Sequence, residues 1–156
     1  MDFRGPGRLA VSARPRGNDW LEPEFKAWRS LGVGVVVSLL TADEAVSLGL
    51  EREPQVCESA GIEYRSFPIV DRSVPGSREP LLRLVGEISL ALEAGKDIVV
   101  HCRQGIGRAG LVAIALLLEN GWNLEEATRT VSNARGVAVP ETTEQAEWLR
   151  SFARAV

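Results

Sequence analysis

The sequence predicts a three-layer α/β/α fold around a central, mainly parallel sheet of four to five strands. Three observations carry that prediction. Strand-like and helix-like stretches alternate along the chain, as they do where helices cover both faces of a parallel sheet. Two short runs, residues 33–40 and 97–101, are rich in Val, Ile and Leu without polar alternation, the pattern of strands buried on both sides. The 156 residues fit one domain of the usual ~100–200, and one domain is expected over 1–156. Such a chain buries roughly two thirds of its unfolded surface, enough for a core without staples.

Residues 8–12 read as a short strand. Asp19 is placed to cap a helix over residues 21–31, where Leu21, Phe25, Trp28 and Leu31 fall near helical spacing and Gly32 ends the run. The strand at 33–40 follows. Thr41 with Glu44 forms a capping box for a short helix. A second short helix over 54–60 stops at Gly61. Residues 62–69 read as a strand running into a loop at 70–76. Pro80 suits the first turn of a helix, which its apolar series carries to Gly95. After the strand at 97–101 comes a Gly-containing loop, 102–107, and a strongly apolar helix to about Glu119. Asn123 with Glu126 opens the next helix, ending near Gly136. A last helix spans 142–155, with Trp148, Leu149 and Phe152 turned inward.

Eighteen Lys and Arg stand against 21 Asp and Glu, a net charge of −3. A nucleic-acid binder needs a basic excess to neutralise phosphates, so no nucleic-acid partner is expected. A small anion is another matter, because a local pocket can be positive on a negative protein. The chain has one histidine, His101, and two cysteines, Cys57 and Cys102. Three such side chains cannot complete a structural zinc site, and no metal is expected. Two cysteines do not make a disulfide scaffold, so a reducing, cytoplasmic setting is the default. No signal peptide is legible at the start. The longest apolar run, 111–118, falls far short of the ~20 residues that cross a bilayer. The expectation is a monomer with no membrane partner.

Two motifs overlap between the strand at 97–101 and the apolar helix. Gly105, Gly107 and Gly110 spell G-x-G-x-x-G at a strand-to-helix junction, the context of a dinucleotide fingerprint. That fingerprint requires a further strand ending in an acidic residue about 20 residues on. A long apolar helix, Asn120-Gly121-Trp122 and more helix follow instead. The second motif is C-x5-R, from Cys102 to Arg108. A thiolate is the reactive form of cysteine, and a helix N-terminus with inward-pointing N–H groups stabilises it and cradles a tetrahedral oxyanion. Gly105 and Gly107 let backbone approach that anion. The planar fork of Arg108 grips two oxygens at once, which Lys cannot do. His101 is placed to orient the loop by hydrogen bonding. Taken singly, the cysteine reads as a small core residue, the histidine as a structural group and the glycines as turn formers. Their joint order at this junction favours the chemical reading.

The segment HCRQGIGRAG (101–110) resembles the HCxxGxxR(S/T)G phosphate-binding loop of the cysteine-dependent protein tyrosine phosphatase superfamily, closest to its small dual-specificity and cyclin-dependent-kinase-inhibitor-like branches. FPIVDRSVP (67–75) resembles the family's general-acid loop, with Asp71 lying 31 residues before Cys102. VPETTEQAEWL (139–149) resembles the segment whose Gln positions water, and VVVSLLT (35–41) resembles the second strand of these enzymes. The likeness covers nearly the whole chain. Small tyrosine phosphatases and arsenate reductases place C-x5-R near the N-terminus, and nothing beyond the loop supports a rhodanese-like sulfurtransferase.

The resemblance implies a phosphomonoester hydrolase that works through a phosphocysteine intermediate and needs no cofactor. Cys102 would attack phosphorus. Arg103, Gln104, Gly105, Ile106, Gly107 and Arg108 would bind the phosphoryl oxygens. Asp71 would protonate the leaving oxygen and then act as base toward water; its plainer reading is a turn former in a Pro/Gly loop. Gln145 would orient the water, although Thr142 and Gln145 also make a good capping box. Some relatives protect the nucleophile with a disulfide, a role open to Cys57, whose plainer reading is a buried hydrophobe. Ala109 departs from the family's Ser or Thr, as in the slow phosphatases of regenerating liver. It loses a hydroxyl that helps sulfur leave.

The family's substrates include phosphotyrosine, phosphoserine and phosphothreonine, phosphoinositides and RNA 5′-phosphates. No loop that deepens the pocket for phosphotyrosine is found, and Arg103 is the one cation of the loop besides Arg108, which disfavours a polyanionic lipid head group. The expected activity is that of a protein tyrosine or dual-specificity phosphatase on a phosphorylated protein. Alternatives are a slow-turnover phosphate-binding or scaffold protein on the same fold, and a phosphoinositide phosphatase.

Overall fold

The computed structural model describes Met1 and residues 5–155; residues 2–4 and Val156 of the expected 1–156 domain lie outside the described residues. Strands β1 (Leu9–Ser12), β2 (Val33–Ser38), β3 (Glu63–Ser66) and β4 (Asp97–His101) form one sheet in the order β1-β4-β2-β3. Every pairing is parallel, with Val36 opposite both Val99 and Tyr64. Among the described residues the helices are α1 (Leu21–Ser30), α2 (Ala42–Ser47), α3 (Glu53–Ala60), α4 (Arg78–Glu93), α5 (Arg108–Glu119), α6 (Leu124–Arg135) and α7 (Thr143–Ala155).

Alternate residues of the central strands feed two cores, because successive strand side chains point to opposite faces. Val35, Val37, Ile98 and Val100 pack with α4, α5, α6 and α7. Val36 and Val99 pack with Leu21 and Phe25 of α1 and Val56 and Cys57 of α3. The three layers expected from the sequence are therefore present. Helix α5 is buried from Arg108 through Leu118, which explains why its sequence is apolar on every side. Its buried Leu and Ile side chains each contribute about 1.5–3 kcal/mol of burial.

The expected caps at Thr41 and Asn123 form: Thr41 and Glu44 bond reciprocally, and the Asn123 side chain accepts from Glu126 N–H. Asp19 does not cap α1. It lies in a 3-10 turn, Asn18–Trp20, and α1 begins behind Trp20 without a side-chain cap. Asn18, at φ 55, donates its N–H to Gly49 O at 2.9 Å, so a tertiary contact sets the chain's entry. Strand β3 is shorter than residues 62–69. Phe67 and Ile69 still donate to Ser38 O and Leu39 O, but Pro68 between them has no N–H to offer, and the ladder becomes irregular. Likewise β2 ends at Ser38 rather than Leu40, with Leu39 N–H reaching His101 O at 3.0 Å.

Candidate active site

The centre of the sheet ends, at His101, in a loop that turns directly into α5. The Cys102 side chain is 3 % exposed, and Gly105 donates its N–H to Cys102 Sγ at 3.2 Å. Gly105 sits at φ 71, and a Cβ there would lie 2.4 Å from the Ser12 carbonyl carbon. Only glycine fits both the left-handed backbone and this contact. Outside the loop, Arg14 N–H donates to Arg103 O at 3.3 Å. Arg135 donates to Gly105 O and Gln104 O at 2.8 and 3.0 Å. These bonds engage three loop carbonyls with donors from outside the loop. Gly107 caps α5 without a side-chain hydrogen bond, so no side-chain cap occupies the helix's opening N–H groups.

Arg108 is 1 % exposed. Its guanidinium donates to Glu44 Oε1 and Oε2 at 2.7 and 2.9 Å and to Ile69 O at 2.8 Å, and Nη2 lies 3.0 Å from Asp71 Oδ1. Burial by itself lowers the Arg108 pKa, but hydrogen bonding and charge from Glu44, helped by Cys102 and Asp71, hold it above its ordinary value. Burial likewise raises Glu44, yet Arg108 and Thr41 bring its carboxyl below the usual range. The cation is thus permanent and aimed by a carboxylate fork before any anion arrives.

Asp71, Arg72, Cys102, Arg103, Gln104, Gly107, Arg108 and Glu141 line one cavity of about 180 Å³. Pockets that enclose a whole small molecule run to ~300–1,000 Å³; this one is sized for a small group such as a tetrahedral oxyanion. Of the residues expected at the site, the structure brings Cys102, Arg103, Gln104, Gly107, Arg108 and Asp71 to that cavity. Gly105 forms the back of the loop, and Ile106 packs toward the core. Ala109 is fully buried in the first turn of α5.

Gln145 is buried behind the cavity rather than lining it. Its Oε1 accepts from Glu141 N–H and Thr142 N–H, both at 3.1 Å, its own N–H donates to Thr142 Oγ1 at 3.1 Å, and its Nε2 donates to Ser73 O at 3.0 Å. It forms the capping box and also ties the Asp71 loop to the start of α7. Arg72, at φ 62, completes that tie by donating to Glu141 Oε1 at 2.7 Å.

His101 does not bond the loop through its ring. Nε2 donates to Glu53 Oε1 and Oε2 at 2.7 and 3.1 Å, while Nδ1 is buried without a partner among the described residues. Glu53 is 1 % exposed in the first turn of α3, where the helix dipole favours an acid. Leaving a buried hydrogen-bonding group without its partner typically costs about 1–3 kcal/mol. Glu53→Ala is therefore expected to lower the unfolding free energy by about 1–3 kcal/mol in urea titrations. A change under about 1 kcal/mol would show that the pair adds nothing. Cys57 lies in the core on the α1–α3 side of the sheet, Cys102 in the core on the α4–α7 side, and both thiols are free. Burial, then the charge of Glu53, pushes the Cys57 thiol up to about 12. A thiol so reluctant to ionise is a poor partner for disulfide exchange, and the Cys57–Cys102 bridge has no support.

Glu44, Glu53, Arg135 and Glu141 escaped the sequence reading as site residues. Glu44 was legible as a capping residue, and it is one; the other three carry no local signal. Together the site offers a sulfur nucleophile, a fixed cation, loop amides and a carboxylate, without a cluster of three or more metal-ligating side chains among the described residues. That set is able to capture a phosphoryl group and transfer it to sulfur.

Comparison with known proteins points the same way. Residues 10–122 match the family model described as polymorphic toxin system, DSP-PTPase phosphatase. The chain is 32 % identical over 132 residues to protein tyrosine phosphatase domain-containing protein 1 of Danio rerio, covering 79 % of this chain and 18 % of that one. It is 23 % identical over 134 residues to human cyclin-dependent kinase inhibitor 3, covering 85 % and 63 %. The chain thus spans under two thirds of either relative. Among solved structures it resembles the active form of Tk-PTP, with a TM-score of 0.81 and 32 % identity over 96 % of this chain and 94 % of that one. Kinase associated phosphatase shares the fold at a TM-score of 0.87 and 21 % identity, covering 94 % and 86 %.

Proposed function

Since the chain belongs to the dual-specificity and tyrosine phosphatase family, on the small dual-specificity branch of the cysteine-dependent superfamily, we propose that it hydrolyses phosphomonoesters of proteins through phosphocysteine. Phosphotyrosine is the leading substrate, with phosphoserine and phosphothreonine as further candidates. The observation that carries this reading is the meeting of Cys102, Arg108 and Asp71 in one cavity at the mouth of α5. Cys102 attacks phosphorus while Arg108 and the loop amides hold the equatorial oxygens. Asp71 gives its proton to the leaving oxygen. Water then splits the phosphocysteine. The whole of 1–156 serves as one phosphatase domain in this proposal.

The test is hydrolysis of an aryl phosphate by the wild type and by Cys102→Ser. Phenol release should vanish in the variant; equal activity in both would reject the reading. Ala109 favours a second reading, a phosphate-binding protein that turns over slowly. A serine there would donate a hydrogen bond to the departing sulfur, worth about 1.5–3 kcal/mol or ~10–150-fold in rate. Ala109→Ser is expected to raise the steady-state rate by that order and to shrink an initial burst of phenol. An unchanged rate and burst would mean that another loop group already stabilises the sulfur.

A further inference from the structure

The loop around Cys102 does not aim its own amides. In a planar trans peptide the C=O of one residue and the N–H of the next point in opposite directions. Whatever holds a carbonyl on the outer side of the loop therefore turns the following N–H the other way. Arg135, the last residue of α6, holds two such carbonyls with one guanidinium. Its Nε donates to Gly105 O at 2.8 Å and its Nη2 to Gln104 O at 3.0 Å. The peptide group between Gln104 and Gly105 shows the result at both ends, because the Gly105 N–H donates to Cys102 Sγ at 3.2 Å. By the same geometry the Ile106 N–H, across the peptide from Gly105 O, is directed away from Arg135, and it donates to no described residue. Gly105, at φ 71, supplies the left-handed residue that lets successive N–H groups converge on an anion.

We propose that Arg135 is a positioning residue of the reaction: it aims the Gly105 and Ile106 amides and so sets the affinity of the loop for the phosphoryl group. The proposal rests on the phosphatase reading above. Charge adds to aim, since a cation on a carbonyl polarises the whole peptide group and strengthens the N–H at its far end. Arg135 is half-buried, and among the described residues no carboxylate pairs with it. Its charge is directed at the two carbonyls alone. The third engaged carbonyl, Arg103 O, is held at 3.3 Å by the Arg14 backbone N–H, a neutral donor. The site thus uses two arginines in different ways. Arg108 lines the cavity and meets the oxygens, whereas Arg135 stands behind the loop and acts through two peptide groups.

The experiment measures how well inorganic phosphate protects Cys102 from iodoacetate, together with kcat and KM on p-nitrophenyl phosphate. It compares wild type, Arg135→Ala, Arg135→Lys and Arg129→Ala, each with its own urea unfolding curve. In Arg135→Ala the half-protecting phosphate concentration should rise at least about tenfold. Its kcat/KM should fall at least about tenfold, short of the ~10²–10³ lost when an oxyanion donor is removed outright. Arg135→Lys keeps the charge without the fork and should fall between the two. Arg129 lies on the same helix, 61 % exposed beside Glu125, and Arg129→Ala should bind phosphate like the wild type. A role confined to folding would lower the unfolding midpoint of Arg135→Ala and leave phosphate binding by the folded protein unchanged, which would overturn the proposal. Equal weakening in Arg129→Ala would overturn it too, by making net charge the cause. So would wild-type phosphate binding in Arg135→Lys, whether or not Arg135→Ala folds, since a point charge would then suffice. Failure of phosphate to protect Cys102 in the wild type, or nitrophenol release that persists in Cys102→Ser, would instead overturn the phosphatase reading, and both are seen without any Arg135 variant.

Discussion

Replacing Asp71 by Asn is expected to slow phosphoryl transfer to Cys102 by about 10²–10⁴-fold for an aryl phosphate with a poor leaving group. The reason is the proton. A weakly acidic phenol departs as an alcohol only if a positioned acid supplies hydrogen, and asparagine has the same shape with nothing to give. A strongly acidic phenol leaves unaided, so its transfer rate should scarcely move. The comparison is best made on the burst, which reads phosphoryl transfer to Cys102 alone whichever step limits turnover. The loop should keep its place in the variant, since the Arg72–Glu141 and Ser73–Gln145 bonds remain. Equal losses with both leaving groups would remove Asp71 from the role of acid.

Arg108→Lys should lower kcat/KM by about 10²–10³-fold, the usual effect of losing one preorganised donor to a developing oxyanion. Lys keeps the charge but not the fork, and so cannot grip Glu44 and a phosphoryl group together. A loss under about tenfold would mean that charge alone suffices. Glu44→Gln tests the same pair from the other side. The Glu44 carboxyl titrates below its ordinary value of 4.5 in the folded protein, so its contribution is fully present above about pH 4.5 and fades as pH falls through the lower folded value. The stability deficit of Glu44→Gln at pH 7 should accordingly shrink in that acid range, read from unfolding midpoints against pH.

What could be read from the sequence follows from distance along the chain. The nucleophile loop is local: Cys102 and Arg108 are six positions apart, and one strand-to-helix turn brings them together. The layer architecture was legible because residues 33–37 of β2 and 98–100 of β4 form unbroken runs without polar alternation and α5 is apolar on every side beyond Arg108. Glu53, Arg135 and Glu141 were not, because their partners lie 48, 30 and 69 residues away. On its own each reads as an ordinary charge on a helix or in a loop. The misplaced cap at Asp19 has the same origin, since the contact from Asn18 to Gly49 overrides local preference at the start of α1. Gln145 shows a subtler case. Its capping role and its motif role were both legible, but only the fold reveals that the first consumes the hydrogen bonds the second would need.

The contact between Gly105 and the end of β1 makes the anion loop and the sheet's edge one cooperative unit. An edge strand of four residues would ordinarily fray, opening and closing far more often than the molecule unfolds. Here fraying withdraws the Ser12 backbone that supports Gly105 and the Arg14 amide that holds Arg103, so the open form is also the form that binds oxyanion poorly. Linkage then runs both ways: a phosphoryl group seated in the loop slows the breathing of a strand that never touches it, and whatever steadies β1 tightens the grip on phosphate.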